Sequence, residues 1–313
     1  MTVLTPSAAI ASLRKKTFVR VYQETAALKL LGIEDKYQAR LDWKKRLAKP
    51  VLDSEHKTLS AVREELSRRS KDELDEARAE FARRNKIWSY FPDEGPYRRE
   101  LYPKHMEFIE CTLTDEEILF MAANKIGKTD LGGLCVAHWA MGRYPKWWHG
   151  RVFRDPLTIW IVNKSAKDTR DINEAVLLGP PGNEAERGTG MIPGHLIQKC
   201  TPKQGTGNAF EFINVEHVSG ATSYIVSKSY DQGREAFQGR NIPIIWDDEE
   251  VPDDVAGEQK LRIMTIEDGG ERRTGLILYT YTPLIGLTPF TTKFMEDAGF
   301  SIDALRRAQE DVA

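Results

Sequence analysis

Cysteine is scarce in this 313-residue chain: Cys111, Cys135 and Cys200 are odd in number and far apart. That excludes a disulfide framework and cysteine-based zinc spacing, and it fits a reducing compartment. Long apolar runs are also missing. The longest, such as 157–162, fall far short of the ~20 residues that cross a bilayer, so no membrane role is expected. Nor is there an excess of one charge: 45 Lys and Arg stand against 47 Asp and Glu, for a formal net charge of −2. A polycationic nucleic-acid coat and an acidic solvating tail are both excluded, and any polyanion must be held by a local patch. No internal repeat or low-complexity linker is present. The first twenty residues contain no acid and carry Ser, Thr and basic residues. They bear a faint likeness to a transit peptide but lack the apolar stretch of a secretory signal, and a frayed N-terminus is expected there.

What is present is a globular balance. At 41% hydrophobic residues the chain can build a sizeable core. Its length suits two domains, or one large domain with an appendage, at roughly 150 residues per domain. Residues 1–87 read as a helical, charge-rich N-terminal region. Ser70-Lys-Asp-Glu73 forms a capping box, with Leu74, Ala77 and Phe81 following at helical spacing. The dense alternation of acid and base over 64–84 predicts a solvated, salt-bridged helix face, with a protein-docking appendage as the alternative. From residue 88 the texture changes. Short runs rich in Ile, Val, Tyr and Trp predict strands at 117–121, 157–162, 209–215, 222–227, 243–246 and 275–281. A hairpin is expected around Val218-Ser-Gly-Ala221, and one or two helices over 294–313. This alternation predicts an α/β fold with a mostly parallel central sheet and some antiparallel addition.

The most specific local pattern is Met121-Ala-Ala-Asn-Lys-Ile-Gly-Lys-Thr129, between an apolar run and a helix-compatible stretch from Leu131 to Met141. Strand, loop and helix in that order make a phosphate-binding loop. Loop N–H groups and the positive helix end bind phosphate oxygens. Lys128 would reach the β- and γ-phosphates, Thr129 would ligate Mg²⁺, and Gly127 lets the backbone approach without a Cβ. Ala122 stands where the pattern has its first glycine. Thr114-Asp-Glu-Glu117 also reads as a capping box, which would begin a helix instead of a strand.

A second run, Ile242-Pro-Ile-Ile-Trp-Asp-Asp-Glu-Glu250, carries four carboxylates at the end of an apolar strand. Phosphoryl transfer to water needs one carboxylate at the metal and one to orient the nucleophile. With Asp247 as the last strand position, Asp248 is assigned to Mg²⁺ and Glu249 to the base. A shift of one residue would make the pair Asp247 and Asp248, and a solvated acidic turn, with Asp253 and Asp254 nearby, is the plainer alternative. Leu276-Ile-Leu-Tyr-Thr-Tyr-Thr-Pro283 is a third strand, ending in hydroxyls able to sense a γ-phosphate, although Thr is common in strands anyway.

Taken in order, these motifs resemble the large terminase subunit of tailed bacteriophages, the ATPase that drives DNA into the procapsid. Three further stretches carry the resemblance, Trp88 to His105, Gly142-Arg-Tyr-Pro-Lys-Trp-Trp148 and Asp231-Gln-Gly-Arg-Glu-Ala-Phe-Gln-Gly239, together with Trp246 to Glu250 and Thr280 to Leu287 in the runs above. It covers about residues 88–290. The resemblance implies a three-layer P-loop NTPase of the additional-strand, catalytic-glutamate (ASCE) type over 88–313, using ATP and Mg²⁺. It implies Ala122, Ala123, Asn124, Lys125, Ile126, Gly127, Lys128 and Thr129 as the nucleotide loop, with Tyr102 and His105 at the adenine and Tyr102 stacked on the base or simply packed. It implies coupling through Thr280 and Thr282. It also implies double-stranded DNA as cargo, a homo-oligomeric ring on the portal protein, a small terminase subunit as partner, and a place in the host cytoplasm, transiently at the procapsid portal.

Two departures stand out. The family's loop usually has Arg where this chain has Lys125, which keeps the charge but loses the planar fork. A trans-acting finger such as Arg234 would then take the role, unless Arg234 is an ion-pair partner of Glu235 or Asp231. Full large terminases also continue into a two-metal nuclease, and about 25 residues follow Thr288. No nuclease activity is expected, and the chain reads as a motor domain alone, an excised piece, or a split or truncated gene product. The rival readings are another P-loop DNA translocase or helicase-like ATPase, a nucleotide-holding assembly protein with little hydrolysis, and a purely structural α/β protein. Lys164, Lys167, Arg170, Arg240, Arg272 and Arg273 are scattered candidates for phosphate contacts on DNA.

Overall fold

The structure, a computed structural model, describes residues 71–263, 265–283, 286 and 288–299. The chain divides into two units, Met1–Arg83 and Arg84–Ala313. The described part of the first is nearly all of helix α1 (Lys71–Arg84), whose exposed face carries i,i+3 pairs such as Arg78–Asp75 and Arg83–Glu80. Ser70 of the capping box lies outside the described residues, as do the rest of the region 1–70 and residues 300–313.

The second unit is built on a seven-stranded sheet. In chain order its strands are β1 (Glu117–Met121), β2 (Thr158–Asn163), β3 (Ile197–Pro202), β4 (Phe210–Glu216), β5 (Thr222–Ser229), β6 (Ile244–Asp247) and β9 (Leu276–Tyr281). In space the order is β1-β9-β6-β2-β5-β4-β3. The first five of these run parallel, and β4 and β3 extend the sheet antiparallel. The segment 117–121 is therefore a strand and not a helix start. β9 lies between the strand that feeds the phosphate loop and the strand that ends in acid, which is the additional-strand P-loop arrangement.

Strand alternation sorts the core into two layers. Ile159, Ile161, Ile244, Trp246, Leu276 and Leu278 face one side, against α2 (Pro103–Cys111), α3 (Lys128–Met141) and a helical segment made of Ala166–Asp168, π-helical Thr169–Glu174 and Ala175–Leu178. Trp160, Val162, Ile245, Ile277, Tyr279 and Tyr281 face the other, against α4 (Asp253–Arg262) and α5 (Pro289–Asp297). Helix, sheet and helix make three layers.

Helix α3 is buried around nearly its whole circumference, as an apolar run without a polar face must be. It ends in a Schellman turn: Gly142, at φ +62°, lets its own N–H reach Trp139 and the N–H of Arg143 reach His138. Near its start, Gly132 lies against the indole of Trp246 on β6. A Cβ there would come within 2.3 Å of the indole nitrogen.

Strand β3 and the hairpin of β7 (Ile266–Asp268) with β8 (Glu271–Arg273) were not expected from the pattern. β3 is an edge strand with Gln198 and Lys199 exposed, so it carries no apolar run. The hairpin is too short and charged to show alternation. Its turn, Gly269-Gly270 with both φ positive, is nevertheless a two-residue hairpin signal available in the sequence.

Two outcomes test this packing. Gly132→Ala should destabilise the protein by roughly 1–2 kcal/mol in denaturant melts, because overpacking against a buried indole outweighs alanine's helix advantage. Glu174 is buried between the π-helical turn and the sheet, accepting from Ser227 Oγ at 2.6 Å and from the Phe210 N–H. Burial pushes its carboxyl up to about 7 from the usual 4.5, against those hydrogen bonds. The folded form thus holds the proton more tightly than the unfolded chain. That contribution to stability is present in acid and is lost as pH rises from about 4.5 through about 7. Between about pH 5 and about pH 8 the wild type should lose on the order of 3 kcal/mol more stability than Glu174→Gln.

Candidate functional site

The site lies at the carboxyl ends of the parallel strands. After Met121 the chain leaves β1 and turns through 122–127, with Lys125 at φ +65° and Gly127 at φ +83°. Gly127 is the N-cap of α3, so the free N–H groups of the first helical turn point into the loop. A left-handed non-glycine residue such as Lys125 costs about 1 kcal/mol. Lys128 is buried and its Nζ crosses the loop to donate to the Ala123 carbonyl at 2.7 Å. Burial pulls its pKa down, opposed by the charges of Asp248 and Glu249.

Two neighbours brace this loop. From the end of β9, Thr282 Oγ1 stands 3.0 Å from the Ala122 carbonyl and 2.8 Å from Asn124 Oδ1, its one hydroxyl hydrogen shared between these two acceptors. From α2, His105 Nε2 lies 2.9 Å from the Ile126 carbonyl, so that nitrogen carries the proton. Burial lowers the His105 pKa, which keeps the ring neutral. Tyr102, the residue before α2, packs its ring edge-on against His105 (5.4 Å) and Phe91 (5.3 Å).

The four consecutive acids each have a different partner. Asp247, the last residue of β6, turns away from the loop and accepts from Tyr230 Oη and Gln259 Nε2, both at 2.9 Å. Burial pushes its carboxyl up to about 7. Asp248 faces the loop. It accepts from Thr129 Oγ1 at 3.0 and 3.1 Å and from Thr280 Oγ1 at 2.7 Å. Burial pushes it up to about 7 too, against those two hydroxyls. Glu249 pairs with Lys164 Nζ at 3.3 Å. Glu250 accepts from Thr291 Oγ1 at 2.6 Å and from Thr288 Oγ1 at the start of α5. Of the two possible registers, the structure thus brings Asp248 and not Asp247 to Thr129, and the acids are not a solvated turn.

Thr129 Oγ1 and Asp248 are hard oxygen donors in mutual contact at the mouth of the loop. Among the described residues no group of three or more His, Cys, Asp or Glu is arranged to hold a metal by itself. A sparse pair completed by phosphate oxygens and water is what Mg²⁺ uses, so these residues fit that ion.

Other candidates fall elsewhere. Arg234 pairs with buried Glu258 on α4 at 3.1 Å, beside Arg262, and not with Glu235 or Asp231. The six basic residues do not share one face. Lys164, Lys167 and Arg170 follow the carboxyl end of β2, whereas Arg272 and Arg273 sit on β8 at the opposite end of the sheet. Arg170 pairs with Asp171, Arg272 with Glu267 and Arg273 with Asp268. Reading the sequence missed Tyr230, Gln259 and Trp246, whose indole Nε1 donates to Thr280 Oγ1 at 2.7 Å. A tryptophan inside an apolar strand reads only as core. Among the described residues no helix is long and apolar enough to cross a membrane.

Comparison with known proteins follows the same lines. The profile of the family described as terminase large subunit, T4likevirus-type, N-terminal, matches residues 119–312. The large terminase subunit of Salmonella phage P22 is 30% identical over 213 residues, which cover 63% of this chain and 41% of that protein. Among solved structures, the large terminase of a thermophilic bacteriophage in complex with ADP shows 12% identity and a TM-score of 0.39, over 72% of this chain and 48% of that one. A second crystal form of the same thermophilic phage protein gives 11% and 0.38, over 68% and 42%. Such low scores add nothing to a fold that rests on the chain's own topology. The chain spans less than half the length of each of these relatives. With the family profile matching well over half of its residues, the chain belongs to the large terminase subunits of the T4-like type, in their N-terminal part.

Proposed function

We propose that this chain is the ATP-hydrolysing motor part of a phage terminase, powering the packaging of double-stranded DNA into a procapsid. The observation that carries the reading is the contact of Thr129, at the start of the helix after the phosphate loop, with Asp248 at the end of the acidic strand. In this reading residues 88–313 form the ATPase domain and 1–87 a separate helical region. Loop N–H groups and Lys128 hold the β- and γ-phosphates, and Tyr102 and His105 border the base. Mg²⁺, held by Thr129 and Asp248, would supply positive charge against the phosphate oxygens.

Glu249 is the base. Its carboxylate is part-exposed just beyond Asp248, and its backbone carbonyl is fixed by Tyr230 Oη at 3.0 Å. It accepts a proton from, or orients, the water that attacks the γ-phosphorus in line. The Lys164 ammonium occupies this carboxylate, so the pair must loosen for Glu249 to reach water. Thr282 joins the phosphate loop to β9, which gives phosphate loss a route to the rest of the sheet. Arg234 is the candidate finger toward a neighbouring subunit. Its exposed guanidinium would have to leave Glu258, a bond to a buried acid. The partners are double-stranded DNA, the portal protein, a small terminase subunit and further copies of this chain in a ring, in the host cytoplasm and transiently at the portal.

The reading is tested by steady-state ATP hydrolysis with and without double-stranded DNA, beside Lys128→Ala. Turnover that DNA stimulates and that Lys128→Ala abolishes is expected. Hydrolysis that survives in Lys128→Ala would move the site elsewhere. Glu249→Ala should keep nucleotide affinity within about twofold while turnover falls on the order of a hundredfold or more, the scale of a lost general base. Near-normal turnover in that variant would place the base on another residue.

A further inference from the structure

Trp246 enters the sequence motif only as a strand residue, yet it contacts Thr280, which bonds Asp248, and Gly132 of the helix that carries Thr129. It lies two residues before Asp248, which stands just past β6 with its N–H still on the Val162 carbonyl of β2, so the strand alternation carries on and both side chains point to the same face. Its indole nitrogen can only donate. That makes Thr280 Oγ1, 2.7 Å away, the acceptor, and it leaves the single hydroxyl hydrogen of Thr280 to go to Asp248 Oδ1, also at 2.7 Å. The hydrogen bonds therefore run one way, from Trp246 through Thr280 to Asp248. All three side chains are buried, at 0%, 2% and 4% exposure, where a satisfied chain of this kind is strong and a broken one is costly.

The same indole also sets the other half of the site. Helix α3 begins at Lys128 and Thr129, and its Gly132 rests on the ring of Trp246, while the next residue, Gly133, lies against Val176. A Cβ on Gly132 would lie 2.3–2.8 Å from indole atoms. The ring thus fixes how closely the first turn of α3 approaches β6, and so how far the Thr129 hydroxyl stands from the Asp248 carboxylate. One side chain orients the carboxylate through Thr280 and spaces the hydroxyl through glycine contacts.

We propose that Trp246 is the positioning residue of the metal–nucleotide site, acting on Asp248 through Thr280. On this assignment Thr280 serves to aim the Asp248 carboxylate and not to contact the γ-phosphate. The inference rests on the reading that Asp248 and Thr129 hold Mg²⁺ with nucleotide.

The test is equilibrium binding of fluorescent ADP to the full chain, in Mg²⁺ and in EDTA, for the wild type, Trp246→Phe, Thr280→Val, Thr280→Ser and the double variant Trp246→Phe/Thr280→Val. In the wild type Mg²⁺ should tighten binding. Trp246→Phe and Thr280→Val should each lose on the order of tenfold of that tightening, the usual effect of removing an outer partner of a metal ligand, with affinity in EDTA unchanged. Thr280→Ser should keep it. The double variant should lose less than the two single losses multiplied together, because the route through Thr280 is shared and only the seat of the indole under α3 is lost in addition.

A second readout does not depend on Trp246→Phe folding. The Trp246 indole N–H, one of seven in the chain, should be protected from solvent exchange in the wild type and lose that protection in Thr280→Val. Full Mg²⁺ tightening in Trp246→Phe, additive losses in the double variant, or an indole N–H indifferent to Thr280→Val would each overturn the proposal. A wild type that binds ADP equally with and without Mg²⁺ would instead overturn the metal–nucleotide reading, and this inference with it.

Discussion

The Asp248 carboxylate, held by one hydroxyl from α3 and one from β9, is the contact on which the rest of the site depends. It joins three elements that are far apart in sequence. Thr280 can reach Asp248 only because β9 runs between β1 and β6, and Thr129 can reach it only because the phosphate loop delivers α3 across the ends of these strands. Strand order, the glycine seat of the indole under α3, and the left-handed residues of the loop all serve the same end: two hard oxygen donors set side by side at the mouth of a loop rich in N–H groups. A buried carboxylate without such partners would be costly, on the order of several kcal/mol. The hydroxyls offset that cost while leaving lone pairs for a cation.

The neighbouring acids show how a strand end divides labour. Side chains alternate along β6 and one residue beyond it, where the Asp248 N–H still bonds the Val162 carbonyl, so Asp247 and Asp248 separate to opposite faces. Asp247 closes a buried network with Tyr230 and Gln259 and behaves as structure. Past the strand, Glu249 reaches toward Lys164 and Glu250 ties down the start of α5. Tyr230 Oη lies within hydrogen-bond distance of both Asp247 Oδ1 and the Glu249 carbonyl and shares its one hydrogen between them. The segment carrying Arg234 is therefore fastened to the end of the acidic strand through this one hydroxyl.

Much of this was legible in the sequence. β1, β2, β4, β5, β6 and β9 each announce themselves by short runs of branched and aromatic residues, and the loop from Met121 to Thr129 by its strand–loop–helix context. What stayed hidden has physical reasons. β3 is an edge strand whose exposed residues need not be apolar. The β7–β8 hairpin is stabilised by buried Asp268, which accepts from the backbone of Arg154 and Asp155, and such a contact over more than a hundred residues leaves no local pattern. Arg234 finds Glu258 on α4 instead of its neighbours in sequence, because helical turns at 230–237 aim it there. Trp246 reads as core because its packing is core-like, and its single N–H acquires meaning only when β9 brings Thr280 beside it.

The most direct test of the central claim, that the loop and Asp248 form one metal–nucleotide site, is thermal unfolding of the full chain with a non-hydrolysable ATP analogue, in Mg²⁺ and in EDTA. Ligand that binds only the folded state raises the midpoint by mass action. The account predicts a marked rise with Mg²⁺, a much smaller one in EDTA, and loss of the difference in Asp248→Asn. An equal rise with and without Mg²⁺, or a Mg²⁺-dependent rise that survives Asp248→Asn, would contradict it.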